Sequence, residues 1–281
     1  MAEIPNVRLN LSNRAENVLL VRQALSGLSE TISLDPVELN DVSTAVSEAC
    51  NNVVMHAYSG GEGPLEVEVY AIDHQIEVVV RDHGLGMRQR TEHADDLVGG
   101  IGLPVIRALT HSVDFNSVEG GGTEVRMRFA TGHTTALRWA APDEHRAKPP
   151  RAPDAIGAGM TSLTVGPPRL ARSVLPRVLS ALAARSYFST DRISDTQLLA
   201  DALVAHSESA IDGERLSVEI TVAPRDLRLR LGPLQQGRAA SVLEETSVDG
   251  LGSLLERLSN GHEVSTDGAV ETLDLHLAER D

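Results

Sequence analysis

Lysine is almost absent from this chain. Lys148 is the only one in 281 residues, and every other basic side chain is arginine or histidine. A Walker-type phosphate loop needs a Gly-Lys-Ser/Thr triplet, and none occurs. A protein kinase of the usual eukaryotic type needs a strand lysine and a His-Arg-Asp loop, and both are missing. Any nucleotide site must therefore be of another design. Aromatic residues make up only 2 %, so the core must be aliphatic. Cys50 is the single cysteine, which excludes a disulfide within the chain and fits a reducing compartment. No apolar run approaches ~18 residues, so no transmembrane helix and no membrane contact is expected. The start MAEIPNVRLNLSNRAEN lacks the basic and apolar blocks of a signal peptide, and a cytoplasmic protein is expected. Net positive charge is lacking too: the formal charge is −15, which argues against a nucleic-acid partner and leaves a basic protein surface as a compatible one.

What is present suffices for a real core, since hydrophobic residues make up 41 %. The length fits one large or two ordinary domains. Residues 131–160, TGHTTALRWAAPDEHRAKPPRAPDAIGAGM, break every periodic pattern and have the composition of an exposed linker. This places one domain at 1–130 and another at 161–281. In the first, VRLNLS alternates like a short strand, and Val18, Val21, Leu25 and Leu28 fall at helical spacing. Asp35, Pro36 and Glu38 form a helix start: a cap, a proline in the first turn and an acid three residues after the cap. Val42, Ala45, Ala49, Val53 and Ala57 make the inward stripe of that helix. PLEVEVYAI and QIEVVVRD alternate as strands, GIGLPVIRALT reads as a short helix, and VDFNSVEGGGTEVRMRFA reads as a closing hairpin.

The second half runs through the same order. SVLPRVLSAL matches NVLLVRQALSGL, ISDTQLLADALVAH matches LNDVSTAVSEACNN, and RLSVEITVAPRDLRLRL matches the paired strands. VDGLGSLLERLS matches VGGIGLPVIRAL. Each match alone is weak, but their agreement in order points to an internal duplication.

Three pieces of the first half can carry chemistry. Glu48, Asn52 and His56 stand at i, i+4 and i+8, one polar stripe at the rim of the core. Asp82 ends an apolar strand, and an ionised carboxylate there can only accept hydrogen bonds, as from an exocyclic amine. Gly84 and Gly86 follow it and let the backbone approach a flat base. Asp-x-Gly-x-Gly taken alone is more often a turn. Gly99, Gly100 and Gly102 precede a helix start, where backbone N–H groups can meet an anion. Gly120 to Thr123 closes the set before the last strand.

In this order the pieces resemble the GHKL (Bergerat-fold) ATP-binding family over roughly residues 7–130. EACNNVVMHAY looks like its N box, DHGLGM its first glycine box, GGIGL its second and GGGTEV its closing motif. The wording SEACNNVVMHAY is most similar to bacterial anti-sigma factor serine kinases. The resemblance implies an α/β fold, a two-layer α+β sandwich, here expected twice in tandem. It implies ATP and Mg²⁺ as cofactors, with phosphorylation of a serine on a small STAS-type anti-sigma antagonist, binding of a sigma factor, or both. A non-catalytic, ATP-dependent binding module is the alternative. Asn52 would coordinate Mg²⁺, with Asn51 its competitor, and Glu48 would be the general base. Asp82 would read the adenine amine, Gly84 and Gly86 would border the base, Gly100 and Gly102 would contact phosphate, and Thr123 would support Asp82 and the base. His56 is taken as structural.

A sensor histidine kinase would need a phospho-accepting histidine upstream, yet His56 is the first histidine in the chain. Gyrase, MutL and chaperone relatives carry a long lid and a following transducer domain with a catalytic lysine, whereas here only about a dozen residues separate Met87 from Gly99 and Lys148 lies in the linker. In the second half Ala202 aligns with Glu48, His206 with Asn52 and, more loosely, Pro233 with Asp82, so that half is expected to lack an ATP site. Relatives of this type commonly act as homodimers, and the second half is expected to serve as a built-in pseudo-dimer partner.

Overall fold

Asp35 starts the longest helix among the described residues by accepting the Val37 and Glu38 N–H groups, each at 2.8 Å, on one carboxylate oxygen. Glu38 answers by accepting the Asp35 N–H at 3.1 Å, and Pro36 occupies the first turn, where its missing N–H costs nothing. The computed structural model describes residues 4–86, 102–132, 137, 159–248 and 252–280. Among these the chain divides into two units, one before residue 138 and one after residue 158.

The first unit opens with Val7–Ser12 (β1) and a 3-10 turn, Ala15–Asn17, and continues into Val18–Ile32 (α1) and Pro36–His56 (α2). Pro64–Ile72 (β2) and Gln75–Asp82 (β3) form a hairpin. Gly102–Leu109 (α3), Ser112–Ser117 (β4) and Thr123–Ala130 (β5) complete it. The strands are antiparallel in the order β1-β2-β3-β5-β4. The register pairs Val67 with Val80, Val69 with Val78 and Val78 with Met127, so these side chains share one face. Helix α2 packs on that face with Val42, Ala45, Val46, Ala49 and Val53 buried, and α1 and α3 pack on α2. Each fully buried Val or Leu contributes about 1.5–3 kcal/mol. The first unit is thus a two-layer α/β sandwich.

Period two carries this face from Val78 through Val80 to Asp82, so the acid that ends β3 points toward the helices and is 1 % exposed. The opposite face carries no helix among the described residues, yet Val79, Glu68 and Glu77 are buried there too. Arginines cover them. Arg81 meets Glu124 at 2.7 Å and Glu66 at 3.2 Å, Arg128 meets Glu77 at 2.7 Å, and Arg8 and Arg126 bond Glu68 and Glu77.

Cys50 lies on α2, on the helix side of the sheet, and burial pushes its thiol up to about 12 from 9.0. A thiol kept neutral in the fold contributes stability that is complete below pH 9 and is lost as pH rises toward 12, because the unfolded chain ionises first. Native protein at pH 8 is therefore expected not to react with a thiol-specific disulfide reagent, whereas urea-unfolded protein releases one equivalent. A fast native reaction would contradict this burial.

The second unit comprises Met160–Val165 (β6), a 3-10 turn Pro168–Leu170, Ala171–Arg185 (α4), Thr190–Ser207 (α5), Leu216–Ala223 (β7) and Asp226–Gln235 (β8). Arg238–Glu245 (α6), the short pair Ser247–Val248 (β9) and Gly252–Ser253 (β10), Leu254–Leu258 (α7), Gly261–Asp267 (β11) and Val270–Ala278 (β12) follow. Its main strands run in the order β6-β7-β8-β12-β11, antiparallel throughout. Element for element this repeats the sheet order of the first unit. Leu216, Val218, Leu229, Leu231, Leu273 and Leu275 form the buried face.

Candidate functional site

Two groups of side chains gather along α2. The first stands at its C-terminal end, around Asp82. One Asp82 oxygen accepts the Gly84 N–H at 2.9 Å, which bends the chain sharply as β3 ends. The next N–H, from Leu85, bonds the Ala57 carbonyl at 2.9 Å and fixes the loop to the end of α2. A Cβ on Gly84 would lie 2.0 Å from that carbonyl oxygen. The closing hairpin packs just as tightly, since a Cβ on Gly122 would stand 2.0 Å from the Asp82 carbonyl oxygen and its φ is +101°. Gly86, at φ +72°, lies against Gly122 in turn. The glycines flanking Asp82 thus let three backbone segments stack on one another.

The β3/β5 ladder pairs Arg81 with Glu124, and one step further it sets Thr123 beside Asp82 on the buried face. Thr123 is 4 % exposed, and its Oγ1 has no hydrogen-bond partner among the described residues. A buried hydroxyl without a partner costs about 1–3 kcal/mol, a cost that a ligand's polar group would remove. Tyr58, which sequence reasoning passed over, holds the loop from the other side. Its hydroxyl donates to the Pro64 carbonyl at 2.5 Å and accepts the His83 N–H at 2.9 Å. The only available signal was its place just after the polar stripe of α2.

The second group lies nearer the middle of α2. Glu48 and Asn52 are half-buried, and Gly102, the first residue of α3, comes down on both. A Cβ on Gly102 would stand 3.0 Å from Glu48 Oε2 and 3.7 Å from Asn52 Nδ2 and Oδ1. Of the site residues expected from the sequence, the structure therefore brings together Asp82, Gly84, Gly86 and Thr123 in one group, and Glu48, Asn52 and Gly102 in the other. Gly100, with Gly99, lies outside the described residues. His56 is half-buried in the last turn of α2.

Glu48 lies roughly 14 Å along the helix axis from Ala57, at ~1.5 Å per residue. A ligand that touches both groups must therefore be elongated. It would meet a hydrogen-bond acceptor at one end and oxygen donors at the other. Asn52 Oδ1 and the Glu48 carboxylate are hard oxygen ligands of the kind Mg²⁺ takes, and Mg²⁺ commonly uses one or two protein ligands plus phosphates. No cluster of three His, Cys, Asp or Glu side chains that could hold a metal occurs among the described residues. These donors fit a metal that arrives with a phosphate ligand.

In the second unit, Ser217 pairs with Gly232 as Glu66 pairs with Arg81, so Pro233 falls where Asp82 stands. The β8/β12 ladder then slips between Glu271 and Leu273. Glu271 accepts the Gly237 N–H at 2.8 Å and the Ala239 N–H at 3.0 Å, so its carboxylate closes the N-terminus of α6. These donors hold its carboxyl below the ordinary carboxylate range.

Residues 11–129 match the family model described as a histidine kinase-like ATPase domain. An anti-sigma F factor of Caldanaerobacter subterraneus subsp. tengcongensis is 26 % identical over 129 residues, covering 43 % of this chain and 90 % of its own. The serine-protein kinase RsbW of Bacillus pumilus is 29 % identical over 150 residues, covering 47 % of this chain and 93 % of its own. An anti-sigma F factor of Clostridium beijerinckii is 29 % identical over 127 residues, 41 % of this chain and 87 % of its own. Each of these relatives spans less than half of the present chain. No helix among the described residues is long and apolar enough to cross a membrane.

Proposed function

We propose that residues 11–129, a histidine kinase-like ATPase domain of the GHKL type, bind ATP and transfer its γ-phosphate to a serine hydroxyl of a protein antagonist in an anti-sigma system. One observation carries the reading: buried Asp82 at the end of β3 and Thr123 at the start of β5, whose hydroxyl has no partner among the described residues, stand at the C-terminal end of α2, and Glu48 with Asn52 lie further along that helix. Asp82 accepts a hydrogen bond from the exocyclic amine of adenine, and Thr123 completes the polar contacts beside it. Gly84 and Gly86 hold the loop that borders the base. Asn52 Oδ1 would hold Mg²⁺, which when bound neutralises charge on the phosphates. With no lysine in the unit, Gly100 and Gly102 would offer main-chain N–H groups to the phosphates at the start of α3.

Glu48 accepts the proton of the serine hydroxyl as its oxygen bonds to the γ-phosphorus. The bond from that phosphorus to the β–γ bridging oxygen breaks, and ADP leaves. Relatives named anti-sigma F factor and serine-protein kinase support a STAS-type antagonist or a sigma factor as the partner. The second unit is a degenerate copy: it keeps the order of elements, while Pro233 replaces the adenine acceptor, Ala202 the base and His206 the metal ligand. Proline has no carboxylate to offer, so this unit binds no adenine in that way.

Radiolabelled ATP–Mg²⁺ offered to purified serine-bearing antagonists tests the reading. Label on the antagonist supports a kinase. ATP binding without label supports the alternative, a module in which nucleotide orders a partner-binding surface. A chain that binds no ATP overturns both.

A further inference from the structure

We propose that Gly102 is a positioning residue for Glu48: the bare α-carbon at the first residue of α3 decides where the carboxylate stands. The inference rests on the phosphoryl-transfer reading above and adds to it a role for glycine separate from any contact with phosphate.

Gly86, Gly121 and Gly122 have positive φ, a conformation that itself demands glycine. Gly102 is helical, a conformation any residue adopts. What glycine supplies at 102 is therefore space. A methyl group there would stand 3.0 Å from Glu48 Oε2, closer than an ordinary contact, but 3.7 Å from both terminal atoms of Asn52, an ordinary distance. The crowding falls on the base and spares the metal-side amide. The end of a glutamate side chain moves readily, so a methyl at 102 would shift the carboxylate by a few tenths of an ångström at little cost to the fold. Proton acceptance depends on placement at that scale, because a misplacement of ~1 Å can cost ~10²-fold.

The test is Gly102→Ala, with ATP affinity, thermal midpoint and phosphate transfer measured together, transfer being followed both to a purified serine-bearing antagonist and to water. Turnover should fall about tenfold while KM for ATP and the thermal midpoint hold, the split expected of misplacement. Glu48→Asp draws the carboxylate back by one methylene, so in that background Gly102→Ala should cost markedly less, a non-additive pair. Equal losses in both backgrounds, an ATP affinity that falls in step with turnover, or unchanged turnover would each overturn the inference while leaving the transfer reading in place. A wild-type chain that binds ATP and transfers phosphate to neither acceptor would overturn that reading, and this inference with it.

Discussion

Glu48→Ala is expected to lower phosphate transfer by about 10²–10⁴-fold, the usual contribution of a positioned general base, while ATP affinity stays within a few fold. The substitution suits a clean comparison. Glu48 is half-buried at the edge of the apolar stripe, so its loss leaves no cavity in the core. Alanine at this place is the best helix former, and the Asp35 cap that starts α2 is untouched. On the proposed reading the nucleotide's base end is held elsewhere, at Asp82 and Thr123, so binding and chemistry would separate along the helix. Glu48→Gln should behave like Glu48→Ala, because an amide keeps the shape but cannot take the proton. Rapid-quench measurement of γ-phosphate transfer beside equilibrium ATP titration makes the check. A parallel loss of affinity would mean that Glu48 holds the nucleotide and not the proton.

Arg192→Ala is expected to destabilise the second unit by about 3–5 kcal/mol, the range for breaking one side of a buried ionic network. Arg192 is 2 % exposed, rare for a charged side chain. Its Nε donates to the Ala278 carbonyl at 2.8 Å, its Nη1 to the Leu258 carbonyl at 2.7 Å and to Asp195 at 3.2 Å, and its Nη2 to Asn260 Oδ1 at 2.5 Å. One guanidinium thus joins the start of α5 to the end of α7 and both ends of the β11/β12 hairpin. Burial pulls its pKa down and Asp195 opposes this. Removing it takes a donor from two carbonyls, from Asn260 Oδ1, which keeps the Ala278 N–H at 2.8 Å, and from Asp195, which keeps Arg280 at 3.7 Å. Arg192→Lys should recover only part of the loss, since an ammonium cannot reproduce the fork. Urea unfolding gives the magnitude, and faster hydrogen exchange in α5 and β12 gives the location. A change below about 1 kcal/mol would place the network among surface pairs of little worth.

Much of the first unit could be read from residue order because local rules agree there. Alternation through Val78 and Val80 sends Asp82 to the helix side, and Asp35, Pro36 and Glu38 announce α2 one residue at a time. The hairpin around Gly120 to Gly122 and the short helix through Pro104 likewise follow from turn and helix-start chemistry. What alternation could not give is the burial of Val79, Glu68 and Glu77, because arginine stems from neighbouring strands cover a face that the pattern assigns to water. Arg192 escaped for the same reason: a charge in a helix reads as solvated until the fold supplies four acceptors.

The glycines teach a different lesson. Spacing suggested that Gly84 makes room for a base, whereas in the fold it makes room for the Ala57 carbonyl, a long-range contact that no local pattern shows. The nearness of Gly102 to Glu48 is long-range in the same way. For the second unit, sequence alignment set Pro233 opposite Asp82 only loosely, and strand register puts Pro233 at the matching step of its own hairpin.

The central claim is that Asp82 grips a purine. ATP titrated against wild type and Asp82→Asn, with and without Mg²⁺, tests it most directly. The account predicts binding weaker by about 1–3 kcal/mol for the variant, the loss of a charge-assisted hydrogen bond, in both conditions. Equal affinity of the two proteins for ATP would contradict it.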